Sequence, residues 1–373
     1  MNQSTPYIKS LDGIRFLAVT LVLIAHWIGD DKVGFYPSYL GVCMFFVLSG
    51  FLISGILLKA KESDEAKNQK HWFSLKQFYI RRTIRIFPLY YLVIALLWLF
   101  DVSTTREKVG WLVTYMTNNY MAFHQHWMGS YDHLWSLAVE EQFYLFFPFI
   151  IFFVPKKWVS RVILSFLPLA IALRLYFYLS GYEWVTPYVW MPTSLDAFGL
   201  GALLALARRY DWTFHRLLSK FSTLLFSLFL LGCITYLSKM EAENHNFYSI
   251  VPLRFFEAFF SLSLIAFVSQ PTEHTFSNWF ISFFELPFLV YIGKVSYGIY
   301  VYHQFIYNEY YFPETHPLHL VFTKIDQISP ALLQNVAFKF GLLYILTLVV
   351  ATLSWYAFEK PINQLKDKFA YRS

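Results

Sequence analysis

An all-α, polytopic membrane fold is what the sequence predicts, on three observations. The 373 residues are 57% hydrophobic and only 14% charged, far more apolar than a soluble domain. The apolar residues fall in runs long enough to cross a bilayer. Most of the 30 Lys and Arg sit in alternate connections between those runs, which sets an orientation with both termini cytoplasmic. Ten transmembrane helices are expected, at about 11–28, 38–58, 84–101, 134–154, 161–179, 190–207, 217–237, 250–269, 289–309 and 336–358. They form a single transmembrane domain over 1–373, with no cleavable leader and no fused soluble C-terminal domain expected. The net charge of +6 is explained by orientation, not by nucleic acid. Cys43 and Cys233 lie inside apolar runs, which argues against a disulfide framework or a cysteine metal site.

The first span, Leu11 to Ile28, carries Asp12, Arg15 and His26, groups that spanning segments rarely hold without a reason. At about 100° and 1.5 Å per residue, Arg15 and His26 share one helix face about 16 Å apart. That face presents a cation near the cytoplasm and an imidazole toward the outer surface. Asp12 is one turn from Arg15 and placed to fix it.

The loop before the third span closes as a basic amphipathic segment ending in Arg81, Arg82 and Arg85. Membrane lipid phosphates are one expected partner. Arg82 and Arg85, three apart on one face, also suit a ligand with several phosphates. The connection from Asp101 to His133 is rich in aromatics, amides and histidines, fitting either interface packing or a carbohydrate. Its His124 and His126 form too weak a signature for a metal site, and none is expected.

The fourth span opens HLWSLAVEEQFYL, with Glu140 and Glu141 one to two turns deep. Carboxylates at that depth need a partner; the expectation is that one of them orients His26, with an ion pair to Arg174 as the alternative. Span six holds Asp196 and a small-residue face of Gly199, Gly201, Ala202 and Ala205, a pattern for close helix packing. Span nine brings Ser296, Tyr297, Tyr300 and His303, the last close in depth to His26. His303 is expected in a supporting role, as a hydrogen-bonded structural residue or as part of the site.

Together, LDGIRFLAVTLVLIAHW, GVCMFFVLSGFLISGILL, FYIRRTIRIFPLYYL, HLWSLAVEEQFYL, SLDAFGLGALLA, SYGIYVYHQ and FEKPI resemble the acyltransferase-3 family of integral membrane acyltransferases, in the family's order from about Leu11 to Ile362. The most specific matches are Arg-x10-His (Arg15 and His26) and Arg-x-x-Arg (Arg82 and Arg85). The resemblance implies transfer of an acyl group, usually acetyl, from cytoplasmic acyl-CoA to a hydroxyl of a cell-envelope glycan. It places the chain in a bacterial cytoplasmic membrane, with a periplasmic partner completing transfer as one option. On that reading Arg15, Arg82 and Arg85 hold the phosphates of acetyl-CoA, no permanently bound cofactor being expected. His26 acts as general base or nucleophile, Glu140 or Glu141 sets its tautomer, and Asp12, Asp196 and His303 support the site. The competing class is a glycan transporter or exporter, against which stands the lack of two related halves.

Overall fold

The computed structural model describes residues 7–29, 33, 35–241, 245–270, 275–307 and 317–371. Every regular element among the described residues is helical. Ten main helices lie on the ten expected spans: α1 Lys9–Ile28, α2 Pro37–Ala66, α3 Trp72–Leu99, α4 Trp135–Phe153, α5 Lys156–Leu179, α6 Leu195–Arg209, α7 Phe221–Met240, α8 Pro252–Val268, α9 Pro287–Tyr307 and α10 Val336–Ser354. The last two residues of the ninth expected span lie outside the described residues.

Not all ten are membrane-length rods. Among the described residues eight helices are long and apolar enough to cross a bilayer alone, and α9 joins Asn278–Phe284 across a 49° bend to make a ninth. The expected sixth span is the exception. Its helix, α6, has 15 residues and is entered through the 3-10 turn Met191–Ser194, so it measures only about 22 Å against a hydrocarbon layer of about 30 Å. Nearly every residue of α6 is buried. A helix walled in by protein need not match the lipid.

Small residues decide how closely these helices approach. A Cβ on Gly201 of α6 would lie 2.0 Å from the Val47 carbonyl of α2, and one on Gly50 of α2 would lie 2.1 Å from the Phe198 carbonyl of α6. The two backbones therefore touch through reciprocal glycines, as the small-residue face of the sequence predicts. A second reciprocal contact joins α1 to α9 and its preceding helix: a Cβ on Gly293 would stand 1.9 Å from the Asp12 carbonyl, and one on Gly13 would stand 2.1 Å from that of Phe284. This crossing fixes the register between the helices that carry His26 and His303.

A buried ion pair ties α5 to α6. Arg174 donates to Asp196 at 2.6 Å and to the Thr193 carbonyl at 2.8 Å, all three groups being enclosed. A charge buried at this depth needs such a partner, although the Arg174 Nε is left without one. The alternative partner expected for Arg174, a carboxylate of α4, is not the one it takes, and Asp196 is consumed by this structural contact.

Candidate functional site

Two cavities open inside the bundle, and their linings differ in kind. The larger, about 630 Å³, lies among α1, α2, α3, α4, α6 and α9 and is basic at one end. The smaller, about 300 Å³, is lined mainly by aromatic rings and histidines.

In the basic cavity the arginines of α3 divide their roles by helical position. Arg81 turns to the C-terminal segment, donating to the carbonyls of Lys366 (2.7 Å) and Phe369 (3.2 Å). Arg82 and Arg85, three residues apart, both face the cavity. The Arg82 guanidinium lies 3.8 Å from the centre of the Tyr144 ring, and its Nε has no hydrogen-bond partner. Arg85 is exposed to the cavity and makes no hydrogen bond or ion pair among the described residues. Arg15 enters from α1, paired with Asp12, which also accepts from the Tyr7 hydroxyl. Lys59, Arg208 and Arg209 complete the cationic end. In this set Arg15 is paired with Asp12 and Arg209 with Glu62, while Arg82 and Arg85 make no ion pair among the described residues, which leaves these two planar forks suited to an anion carrying several phosphates.

Glu140 and Glu141 also line this cavity. Glu140 accepts from the hydroxyls of Tyr144 (2.6 Å) and Ser49 (3.2 Å), and the Oε1 of Glu141 is buried without a hydrogen-bond partner. Neither bonds His26. The expectation that one of them sets the imidazole tautomer is corrected by the structure: a helix's sequence gives the depth of a side chain, but its bearing toward a neighbour depends on how the two helices are rotated.

The partner of His26 is His303. Its Nε2 lies 2.6 Å from His26 Nδ1, with the rings 6° from parallel and their centres 4.9 Å apart. His303 Nδ1 lies 2.5 Å from the Tyr300 carbonyl, which can only accept, so Nδ1 carries the hydrogen and Nε2 a lone pair. His26 must then donate from Nδ1, which leaves its Nε2 bare. His26 lines the aromatic cavity beside Trp127, Trp184, Tyr188, His133 and Arg254. Arg254 lies over the rings of both Tyr39 and Tyr188, 4.1 and 4.4 Å from their centres, and donates to the carbonyls of Pro187 and Tyr188. His245, stacked on Trp184 at the rim, is held below the ordinary imidazole range by burial and by the Arg254 cation.

A thin wall separates the cavities. Ser136 and Tyr300 line the basic side; their hydroxyls are 2.6 Å apart, and Tyr300 also donates to the His133 carbonyl at 2.7 Å. His133 itself lines the aromatic side. The sequence gives no expectation for Tyr144, Ser49 and Ser136. His133 is covered only as the end of the aromatic connection Asp101–His133, and Tyr300 only as a residue of span nine one turn from His303.

Asp12, Arg15, Arg82, Arg85, Glu140 and Glu141 thus share the basic cavity or its edge, and His26 with His303 forms a dyad beyond the wall. Asp196 reaches neither.

A family model described as an acyltransferase domain matches residues 8–358. The chain is 30% identical to the peptidoglycan O-acetyltransferase OatA of Listeria monocytogenes, over 97% of this chain and 56% of the relative. It is 28% identical to the O-acetyltransferase OatA of Staphylococcus aureus, over 90% of this chain and 57% of the relative. The chain therefore spans about half the length of the curated relatives it matches. No solved structure matches it.

Proposed function

The chain belongs to the acyltransferase-3 family of multi-pass membrane proteins, and from that premise we propose that it moves an acetyl group from cytoplasmic acetyl-CoA to a hydroxyl of a cell-envelope glycan on the far side of a bacterial cytoplasmic membrane. The observation that carries this reading is the pair of cavities: a basic one that suits coenzyme A phosphates and, across one layer of side chains, an aromatic one edged by the His26–His303 dyad.

Arg82 and Arg85 hold the phosphates, with Arg15 assisting and Asp12 fixing Arg15 in place. The extended pantetheine arm follows the cavity toward Ser136 and Tyr300, so only the acetyl group has to pass the wall. An acceptor hydroxyl in the aromatic cavity gives its proton to the bare Nε2 of His26, and its oxygen attacks the thioester carbonyl. The carbon–oxygen bond forms, the carbon–sulfur bond breaks, and the departing thiolate takes the proton. His303 holds His26 in the tautomer that leaves Nε2 free, as a base is oriented by a third group. Where a periplasmic partner completes the transfer, the hydroxyl at His26 belongs to that partner. Glu140 acts on the donor side, positioning Arg82 through Tyr144, and Glu141 adds a second carboxylate to the lining of the same cavity.

Thioester cleavage of acetyl-CoA by purified protein, with and without envelope glycan, tests this. Acceptor-dependent cleavage is expected in wild type and absent in His26→Ala. A wild-type protein that neither binds nor cleaves acetyl-CoA would overturn the reading.

A further inference from the structure

Coenzyme A carries two separate phosphate groups on one ribose: a 5′-diphosphate that continues into the pantetheine arm, and a 3′-phosphate that does not. The basic cavity likewise carries its cations at more than one place. Arg82 and Arg85 enter it from α3, and the charges of Arg15 and Arg82 both act on Arg85, so these three form one cluster. Arg208 enters from the last turn of α6, and no charged neighbour among the described residues perturbs it. It is a cation set apart from the cluster but open to the same cavity.

Its surroundings hold Arg208 ready for an anion. The guanidinium donates to the Ser269 hydroxyl at 2.9 Å and to the Ser269 carbonyl at 3.1 Å, which anchors it just past the end of α8. These bonds use two of the five N–H donors of the group. Its Nε bonds nothing and is not enclosed. The Phe51 ring, whose centre lies 5.5 Å from the guanidinium carbon, lines the same cavity. The adjacent Arg209 is committed to Glu62, whereas Arg208 makes no ion pair among the described residues. A cap on α8 alone would need no opening onto the cavity.

We infer that Arg208 receives the 3′-phosphate of the acyl donor, while Arg82 and Arg85 receive its 5′-diphosphate. This rests on the acyl-CoA reading and makes Arg208 the residue that tells coenzyme A from its 3′-dephospho form. The pantetheine arm decides which phosphate goes where. Arg82 lies over the ring of Tyr144, about two turns along α4 from Ser136. A phosphate held there is the one from which the arm can run to the wall at Ser136 and Tyr300. Two guanidiniums one turn apart suit the diphosphate, and a single fork with a free edge suits a monoester.

The purified full chain is given acetyl-CoA or acetyl-3′-dephospho-CoA with envelope glycan, and thioester cleavage is followed. In wild type the KM for acetyl-CoA should be about tenfold or more below that for the dephospho form. In Arg208→Gln the preference should fall to about one, through a raised KM for acetyl-CoA. Arg85→Ala should raise the KM for both donors and keep the preference. Equal KM values in wild type, or a preference that survives in Arg208→Gln, would overturn the inference. Should Arg208→Gln not fold, wild type is treated with phenylglyoxal, which modifies arginine side chains, and the modified residues are read by mass spectrometry. Saturating acetyl-CoA should shield Arg208, Arg82 and Arg85, and the dephospho donor only Arg82 and Arg85. Equal shielding of Arg208 by both donors, or an Arg208 that the reagent never reaches, refutes the inference. Two donors used alike remove the role of Arg208 and leave acyl transfer standing, whereas no binding or cleavage of either removes both.

Discussion

Arg85 and Arg82 stand on the same face, one turn apart, yet are differently committed. Arg82 rests on the Tyr144 ring, while Arg85 has no hydrogen bond or ion pair among the described residues. A guanidinium exposed to a cavity and not itself held in an ion pair is available for an incoming anion, and hydrogen bonds to charged groups contribute about 1.5–3 kcal/mol. Arg85→Ala should therefore raise the KM for acetyl-CoA about tenfold or more and change kcat at saturation little, as steady-state thioester cleavage will report. His303 should show the opposite split. His303→Phe leaves the Nδ1–H of His26 without its acceptor, so kcat should fall about 10- to 100-fold with KM for acetyl-CoA kept. The contrast also marks what the sequence could tell. Arg15, His26, Arg82 and Arg85 were legible because each relation lies within one helix, where the period of 3.6 fixes which residues share a face. The bond between His26 and His303 spans 277 residues, and only the packing of α1 on α9 supplies it; for the same reason Glu140 and Glu141 were read at the right depth but toward the wrong neighbour.

At the scale of helices, the register of α1 against α9 is the quantity that the dyad depends on, and Gly293 controls it. A methyl group there would sit 1.9 Å from the Asp12 carbonyl, so Gly293→Ala forces the helices apart. Overpacking of this kind costs about 1–3 kcal/mol, and here it also separates His26 from His303. Thermal unfolding in detergent should show a lowered midpoint together with lost turnover. Gly232→Ala on α7, where nothing lies within 4 Å, serves as the neutral control. The Arg174–Asp196 pair predicts a stability effect of a different kind. Removing one partner of a buried pair costs about 3–5 kcal/mol because the other charge is left uncompensated, so Asp196→Ala should destabilise strongly while the KM for acetyl-CoA in the surviving folded fraction stays near the wild-type value. Helix positions were legible almost throughout, since apolar run length answers directly to bilayer thickness. Helix α6 was read at spanning length because its apolar run looks no different from the others; its shortness comes from the 3-10 turn at Met191–Ser194 and from being surrounded by protein.

The molecule as a whole places a basic cavity and an aromatic, histidine-lined cavity next to one another, with Ser136, Tyr300 and His133 between them; on the proposed function the first takes the acyl donor and the second the acceptor. Coenzyme A carries charged phosphates whose passage through hydrocarbon would be prohibitive, whereas an acetyl group is small and uncharged. A protein built this way has no need to move the cofactor; it needs donor and acceptor to approach one wall from opposite sides. Sidedness follows and can be measured in sealed proteoliposomes. The orientation of each population is set by labelling Asn68→Cys, in the connection between α2 and α3, with an impermeant thiol reagent in a Cys233→Ser background, since Cys43 is buried and Cys233 exposed. Acetyl-CoA should be consumed only when supplied on the face that carries residue 68, and radiolabelled acetyl should appear on a membrane-impermeant acceptor, an envelope glycan, confined to the other face. Consumption from both faces, or product on the donor face alone, would mean that the wall at Ser136 and Tyr300 does not divide the reaction in the way its position between the two cavities requires.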